Sequence, residues 1–206
     1  IVVAAMLFLE DHFLPILDDL RARREHCDAM ICLMSASEVV KLTRLGHFDM
    51  GKPASGPMAL LKKLRGSAGK DKAATGGAAQ MKMLRRIPQM LRFIPGTAQD
   101  VRAYFLTLQY WLASSEQNAA NLVRMLVDRY AAESRRPAQR LKVEPPAEYP
   151  EVGVYHPRLP GRIGTDATKL PGLKVAPKAR VGLIVLRSYI LAGNTAHYDA
   201  VIAALE

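Results

Sequence analysis

The chain has 206 residues, of which half are apolar and 23% charged, and its net charge is +10. That balance supports a packed core and excludes wholesale disorder, collagen and coiled-coil classes. Two cysteines, Cys27 and Cys32, stand in C-x4-C spacing without a second pair, which excludes a disulfide framework and a zinc ribbon. Both read as buried, reduced thiols of a cytosolic protein.

Residues 2–9 are continuously apolar and short, the pattern of a buried strand. The run is too short to span a bilayer, and no basic stretch precedes it as in a signal peptide. The chain opens on Ile1 and closes on Ala204-Leu205-Glu206 inside a helical pattern, which predicts a piece of a longer polypeptide. Residues 10–26 predict a helix with Phe13, Ile16, Leu17 and Leu20 on one face, starting near Asp11 or His12 so that Pro15 falls in its first turn. Residues 29–34 give a second buried strand. Ser35 or Ser37 then caps a helix through Leu45, which Gly46 ends. Strand, helix, strand, helix at this spacing predicts a parallel sheet.

The pattern then changes. A short basic helix covers Met58 to Leu64, a Gly/Ala/Lys-rich stretch covers Gly66 to Gly77, and a second basic helix covers 79–94 with an interruption at Pro88. Thr97 with Asp100 makes a capping-box-like pair before a helix whose Val101, Tyr104, Phe105, Leu108, Trp111 and Leu112 share a face. Ser114 with Gln117 marks the next helix, through Tyr130. Residues 134–179 carry eight prolines and predict an extended connection. Residues 180–186 predict a third strand, and Thr195 caps a final helix. The expected fold is therefore α/β: a parallel-sheet N-terminal unit with a basic helical insert (1–133), a Pro-rich connection (134–179) and the start of a second α/β domain (180–206).

Nearly all the charge imbalance lies in residues 52–92, where ten Lys and Arg face one acid, Asp71, for a net +9 in 41 residues against +1 in the other 165. Such a segment suits a polyanion, a carboxylated ligand or an acidic partner. Nucleic acid fits least well, because no aromatic side chains are interleaved with the charge. Lys62, Lys63, Arg85 and Arg86 are the candidate docking residues, for an acidic partner protein or an anionic membrane surface.

No G-x-G-x-x-G, phosphate loop, H-E-x-x-H or nucleophile elbow occurs, so nucleotide chemistry belongs elsewhere. The five histidines (12, 26, 47, 156 and 197) are scattered, and no metal ligand set is expected. Polar groups are densest at Tyr155-His156-Pro157 and from Arg187 to Asp199. In a parallel sheet, ligands bind beyond the carboxyl ends of strands, where helices begin. Tyr155, His156, Asn194, His197 and Tyr198 are the candidate ligand-binding residues.

Several runs carry a family likeness: Leu84-Arg85-Arg86-Ile87-Pro88, Leu106-Thr107-Leu108-Gln109-Tyr110-Trp111-Leu112, Ser115-Glu116-Gln117-Asn118, Gly153-Val154-Tyr155-His156-Pro157, and Arg187-Ser188-Tyr189 with Gly193-Asn194-Thr195-Ala196-His197-Tyr198-Asp199. Their order and spacing resemble the N-terminal region of the large, porphyrin-binding H subunits of magnesium chelatase, most closely the bacteriochlorophyll-type branch. The last run also resembles the large subunit of cobaltochelatase. The resemblance implies ATP-dependent insertion of Mg2+ into protoporphyrin IX, with ATP hydrolysed by an AAA+ partner subunit and its adaptor. It implies a cytoplasmic setting, with peripheral membrane contact as an option, and a stretch inactive alone that holds neither Mg2+ nor porphyrin by itself. It places no catalytic residue on this stretch.

Overall fold

The computed structural model describes residues 1–5, 14–53, 85–171 and 181–206. The expected basic helix at Met58 to Leu64, the Gly-rich stretch, Lys62, Lys63 and the expected helix start near Asp11 lie outside the described residues. The chain divides into two compact units, one of Ile1–Gln109 with Asn121–Glu144, the other of Tyr110–Ala120 with Pro145–Glu206.

The first unit is built on a four-stranded sheet in the order β1 (Val2–Ala5), β2 (Ala29–Leu33), β3 (Arg44–Leu45), β4 (Phe48–Asp49). β1 and β2 are parallel, with Val2 opposite Met30 and Ala5 opposite Leu33, as the α/β reading requires. Helix α1 (Leu17–Arg24), entered through a 3-10 turn at Leu14–Ile16 that contains Pro15, connects them. Every residue of β2 is buried, which is why its sequence is a continuous apolar run. Leu20 packs with Ala4, Met30, Cys32, Val39 and Leu42, flanked by Leu17 and Cys27. Burying a leucine of this kind contributes about 1.5–3 kcal/mol. Cys32 is buried and its thiol is pushed up to about 11 by burial, so it is an inert core residue. Cys27, expected to be buried, is half-buried.

The helix expected to run to Leu45 stops early. Helix α2 covers only Ser37–Val40, and the chain turns back as the antiparallel hairpin β3–β4, pairing Ala29 with Leu45 and Leu45 with Phe48. Thr43 explains the change. Its buried hydroxyl accepts from the Cys32 N–H at 3.0 Å and donates to the Cys32 carbonyl at 3.2 Å, satisfying the two β2 groups just beyond the β3 ladder. Gly46 therefore does not end a helix. It opens the two-residue hairpin loop at φ +54°, a region that favours glycine.

Two arginines tie α1 to this hairpin. Arg24 donates from Nη2 to Asp49 Oδ1 at 2.5 Å and from Nε to the Leu42 carbonyl at 3.0 Å. Arg44 reaches the Arg24 and Cys27 carbonyls at 2.9 and 2.6 Å. Burial works to raise the Asp49 carboxyl, but hydrogen bonds from Arg24 and the Gly51 N–H hold it below the ordinary carboxylate range.

Helices α3 (Thr97–Ala113) and α4 (Glu116–Tyr130) follow, with one shift from expectation. Ser114 takes φ +52° and donates to the Trp111 carbonyl, ending α3; Ser115, not Ser114, caps α4 by accepting the Asn118 N–H at 3.2 Å. Asp100 does not close a capping box either. It accepts from the His47 N–H and the Tyr130 hydroxyl, both at 2.9 Å.

In the second unit, residues 145–153 are irregular, in keeping with the proline content. A small antiparallel pair, β5 (Val154–Tyr155) and β6 (Ile163–Gly164), interrupts the connection. Helices α5 (Arg187–Leu191) and α6 (Ala196–Leu205) come last. The strand expected at 180–186 is not formed: residues 181–186 are irregular and, apart from the half-buried Val185, exposed, with Ile184 at 97% and Val181 at 70%. A strand needs a neighbour to satisfy its backbone, and among the described residues none lies beside this run.

Two substitutions test this account. Thr43→Val keeps the shape but leaves the Cys32 N–H and carbonyl unpaired, and lowers stability by about 1–3 kcal/mol in urea unfolding. Gly46→Ala lowers it by about 1–3 kcal/mol, because the backbone is left-handed there and a Cβ would stand 2.8 Å from both Asp100 carboxylate oxygens.

Candidate functional site

The polar residues singled out from sequence gather in the second unit around helix α6. The β5–β6 loop is wound tightly: His156 N–H donates to the Arg162 carbonyl at 3.1 Å and Arg162 N–H to the Leu159 carbonyl at 2.8 Å. Just before β5, a Cβ on Gly153 would stand 2.5 Å from the Gly164 carbonyl oxygen, so only glycine allows this approach.

Two carboxylates seven residues apart, Asp199 and Glu206, meet the loop. Asp199 accepts from the Tyr155 hydroxyl and from Arg162, and Thr195 Oγ1 lies 3.3 Å from it. Arg162 also donates to the Tyr155 oxygen at 2.7 Å, and its guanidinium sits 5.5 Å from the centre of that ring. Glu206 accepts from His156 Nε2 at 3.0 Å and from Arg158 Nη2 at 2.5 Å. His156 Nδ1 accepts the Arg158 N–H at 3.1 Å, which puts the ring proton on Nε2. Both nitrogens of this buried ring are thus engaged within the chain.

The electrostatics follow from these contacts. The Tyr155 hydroxyl, and after it Arg162, hold the Asp199 carboxyl below the ordinary range. Burial, and after it Asp199, pushes the Tyr155 phenol up. At neutral pH the site therefore pairs an ionised carboxylate with a charged guanidinium.

Asn194, His197 and Tyr198 form a second group. Tyr198 stacks obliquely on His197 with ring centres 3.9 Å apart, and Tyr189 meets both edge-on, at 5.6 Å from His197 and 6.3 Å from Tyr198. The Tyr198 hydroxyl accepts the Leu186 N–H at 3.3 Å, which holds its ring in place. Asn194 and His197 are exposed, and no hydrogen bond occupies the His197 ring nitrogens among the described residues. An open imidazole beside two phenol rings can accept a proton from a flat ligand lying against them.

The structure thus brings Tyr155 and His156 together with α6 and sets Asn194, His197 and Tyr198 at its start. Arg158, Arg162, Glu206 and Tyr189 were not anticipated. No spacing in the sequence signals that Arg158, Arg162 and Glu206 meet, because the path of the β5–β6 loop brings them together. Arg85 and Arg86 are exposed on a helical stretch at 85–90. Among the described residues no three His, Cys, Asp or Glu side chains come together as a metal site, and no helix is long and apolar enough to cross a membrane.

Asp199→Asn removes one clamp, and its sign with pH is set. The carboxyl is depressed in the folded state, so its contribution is present above its ordinary pKa and is lost as pH falls through the depressed value. Thermal unfolding of wild type and Asp199→Asn differs at pH 7, and the two curves converge in acid.

Comparison with known proteins places these features. Residues 1–105 match the family model described as "Domain of unknown function (DUF3479)", and residues 108–206 match the model described as "CobN/Magnesium Chelatase". The whole chain is 54% identical to a magnesium-chelatase H subunit from Cereibacter sphaeroides and 52% identical to its counterpart of the same name from Rhodobacter capsulatus, covering 17% of each. Over 99% of its length it is 29% identical to a chloroplastic magnesium-chelatase ChlH subunit from Oryza sativa subsp. indica, covering 15% of it. The chain therefore spans about one-sixth of the length of the curated relatives it matches. The chain thus belongs to the DUF3479 family through residues 1–105, and its remaining residues from 108 on are similar to the CobN/magnesium chelatase family, as the whole chain is to one end-to-end stretch of the magnesium-chelatase H subunits.

Proposed function

We propose that this chain is part of the porphyrin-handling large subunit of a magnesium chelatase, a ligase that forms metal–nitrogen bonds by inserting Mg2+ into protoporphyrin IX on the route to bacteriochlorophyll. The observation that carries this reading is the identity of 54% along all 206 residues to a bacterial H subunit. ATP hydrolysis falls to an AAA+ partner subunit and its adaptor, as the family resemblance implies. Cytoplasmic location with peripheral membrane contact fits the same picture. Within the longer subunit, residues 1–133 form an α/β and helical region, 134–179 the connection, and 180–206 the opening of a further α/β domain.

The chemistry sets clear demands. Mg2+ gives up its waters reluctantly. Two pyrrole N–H protons must leave the macrocycle, so a base has to stand over the ring. In this reading Tyr189 and Tyr198 lie against the macrocycle, His197 accepts a proton through its open imidazole, and Asn194 donates a hydrogen bond to a peripheral group. Tyr155 and His156 act by holding α6 in position through Asp199 and Glu206. The cations of residues 52–92 are suited to the propionate groups.

The test is a porphyrin fluorescence titration and a metallation assay on the full subunit, the full subunit lacking residues 1–206, and the chain alone. The chain alone shows neither ATPase nor chelatase activity, and the deletion lowers metallation at least tenfold. His197→Ala in the full subunit lowers the metallation rate by about 10²–10⁴-fold. Full activity of the deleted subunit overturns the reading.

A further inference from the structure

The segment from 85 to 94 is held by side chains of α3 in an unusual way. Gln99 Nε2 lies 2.8, 3.2 and 2.5 Å from the carbonyl oxygens of Leu91, Arg92 and Ile94. Arg102 Nε donates to the Pro88 carbonyl at 2.9 Å, and Gln109 Nε2 to the Arg85 carbonyl at 3.0 Å. Ile87 and Leu91 anchor the segment from within, each 4% exposed. Five backbone carbonyls between Arg85 and Ile94 are thus fixed by side chains of α3.

What this framework presents to solvent is apolar and cationic. Phe93 is 85% exposed, Met90 59% and Ile94 43%. The Arg92 guanidinium sits 5.5 Å from the Phe93 ring centre. Arg86 and Arg92 are exposed and have no carboxylate partner among the described residues. Residues 84–94 contain no acid, and they end the +9 segment.

We propose that Met90, Phe93 and Ile94, flanked by Arg86 and Arg92, form a preorganised docking surface for an acidic face of another subunit of the chelatase assembly. This rests on the multi-subunit reading above. Three arguments select a protein partner. Rigid aromatic and arginine side chains are the residues that dominate protein interfaces. Holding the turn in place before contact removes ordering cost from binding. A bilayer surface would be expected to recruit Trp or Tyr at the headgroup level, and residues 52–94 contain neither. The complementary face is an apolar pocket rimmed by Asp and Glu.

The experiment uses the full subunit, wild type, Met90→Ser/Phe93→Ser and Arg86→Glu/Arg92→Glu, titrated with the purified ATPase subunits and, separately, with phosphatidylglycerol vesicles. The substituted side chains are exposed, and unchanged thermal unfolding confirms that each variant is folded. The apolar variant weakens binding to the ATPase subunits at least tenfold. The charge variant weakens it similarly and flattens its dependence on salt, while vesicle binding stays the same. Unchanged affinity of both variants for the ATPase subunits overturns the proposal and leaves the chelatase reading standing. Loss confined to the vesicles overturns it in favour of a lipid surface. A wild-type subunit that does not bind the ATPase subunits at any salt concentration overturns the multi-subunit reading itself.

Discussion

The Asp100 carboxylate on α3 joins three parts of the first unit. One oxygen accepts the His47 N–H at the hairpin tip and the other accepts the Tyr130 hydroxyl at the end of α4. Gly46 leaves the space the carboxylate fills. Burial, and after it Asp100, pushes the Tyr130 phenol up, so the group stays a neutral donor across the physiological range. Around this point the rings of Phe48 and Tyr104 meet edge-on at 5.8 Å, and Tyr104 meets Phe105 in the same manner at 5.4 Å. Helix and hairpin are thus joined by one polar bridge set in an aromatic surround.

Polar side chains fix backbone elsewhere too. Asn118 exchanges two hydrogen bonds with Ala147, at 2.9 and 2.8 Å, as a strand neighbour would. Asn121 accepts the Glu144 N–H at 3.0 Å. Asp28 holds the chain after α4 by accepting from the Ala132 N–H and from Arg135. Amide and carboxylate groups supply what ladders supply in a larger sheet, which is how a proline-rich path becomes a defined one. The paired clamps on α6 belong to the same strategy.

Much of the fold was legible in the sequence, for identifiable reasons. β2 is an unbroken apolar run because both its faces are buried, whereas β1, expected to be buried, ends the sheet among the described residues and buries only Ala4. The long helices carry clear 3.6-residue periodicity. The hairpin was not legible, because Thr43 and Arg44 look like the polar side of a helix until the Cys32 backbone groups that Thr43 satisfies are known. The α4 cap shifted by one residue because Ser114 is taken up in a left-handed turn. At the candidate site, Tyr155, His156 and Asp199 could be picked out by residue type. Arg158, Arg162 and Glu206 could not, since their meeting depends on the path of a loop between two two-residue strands.

The run Val181-Gly182-Leu183-Ile184-Val185-Leu186 lies open with most of its apolar side chains facing water. A ribbon of that composition, outside any sheet among the described residues, is a template for any other extended segment that reaches it. Two copies of the chain at high concentration would therefore compete with the proper neighbour for the same backbone groups. Ile184→Lys would act as a gatekeeper against that pairing.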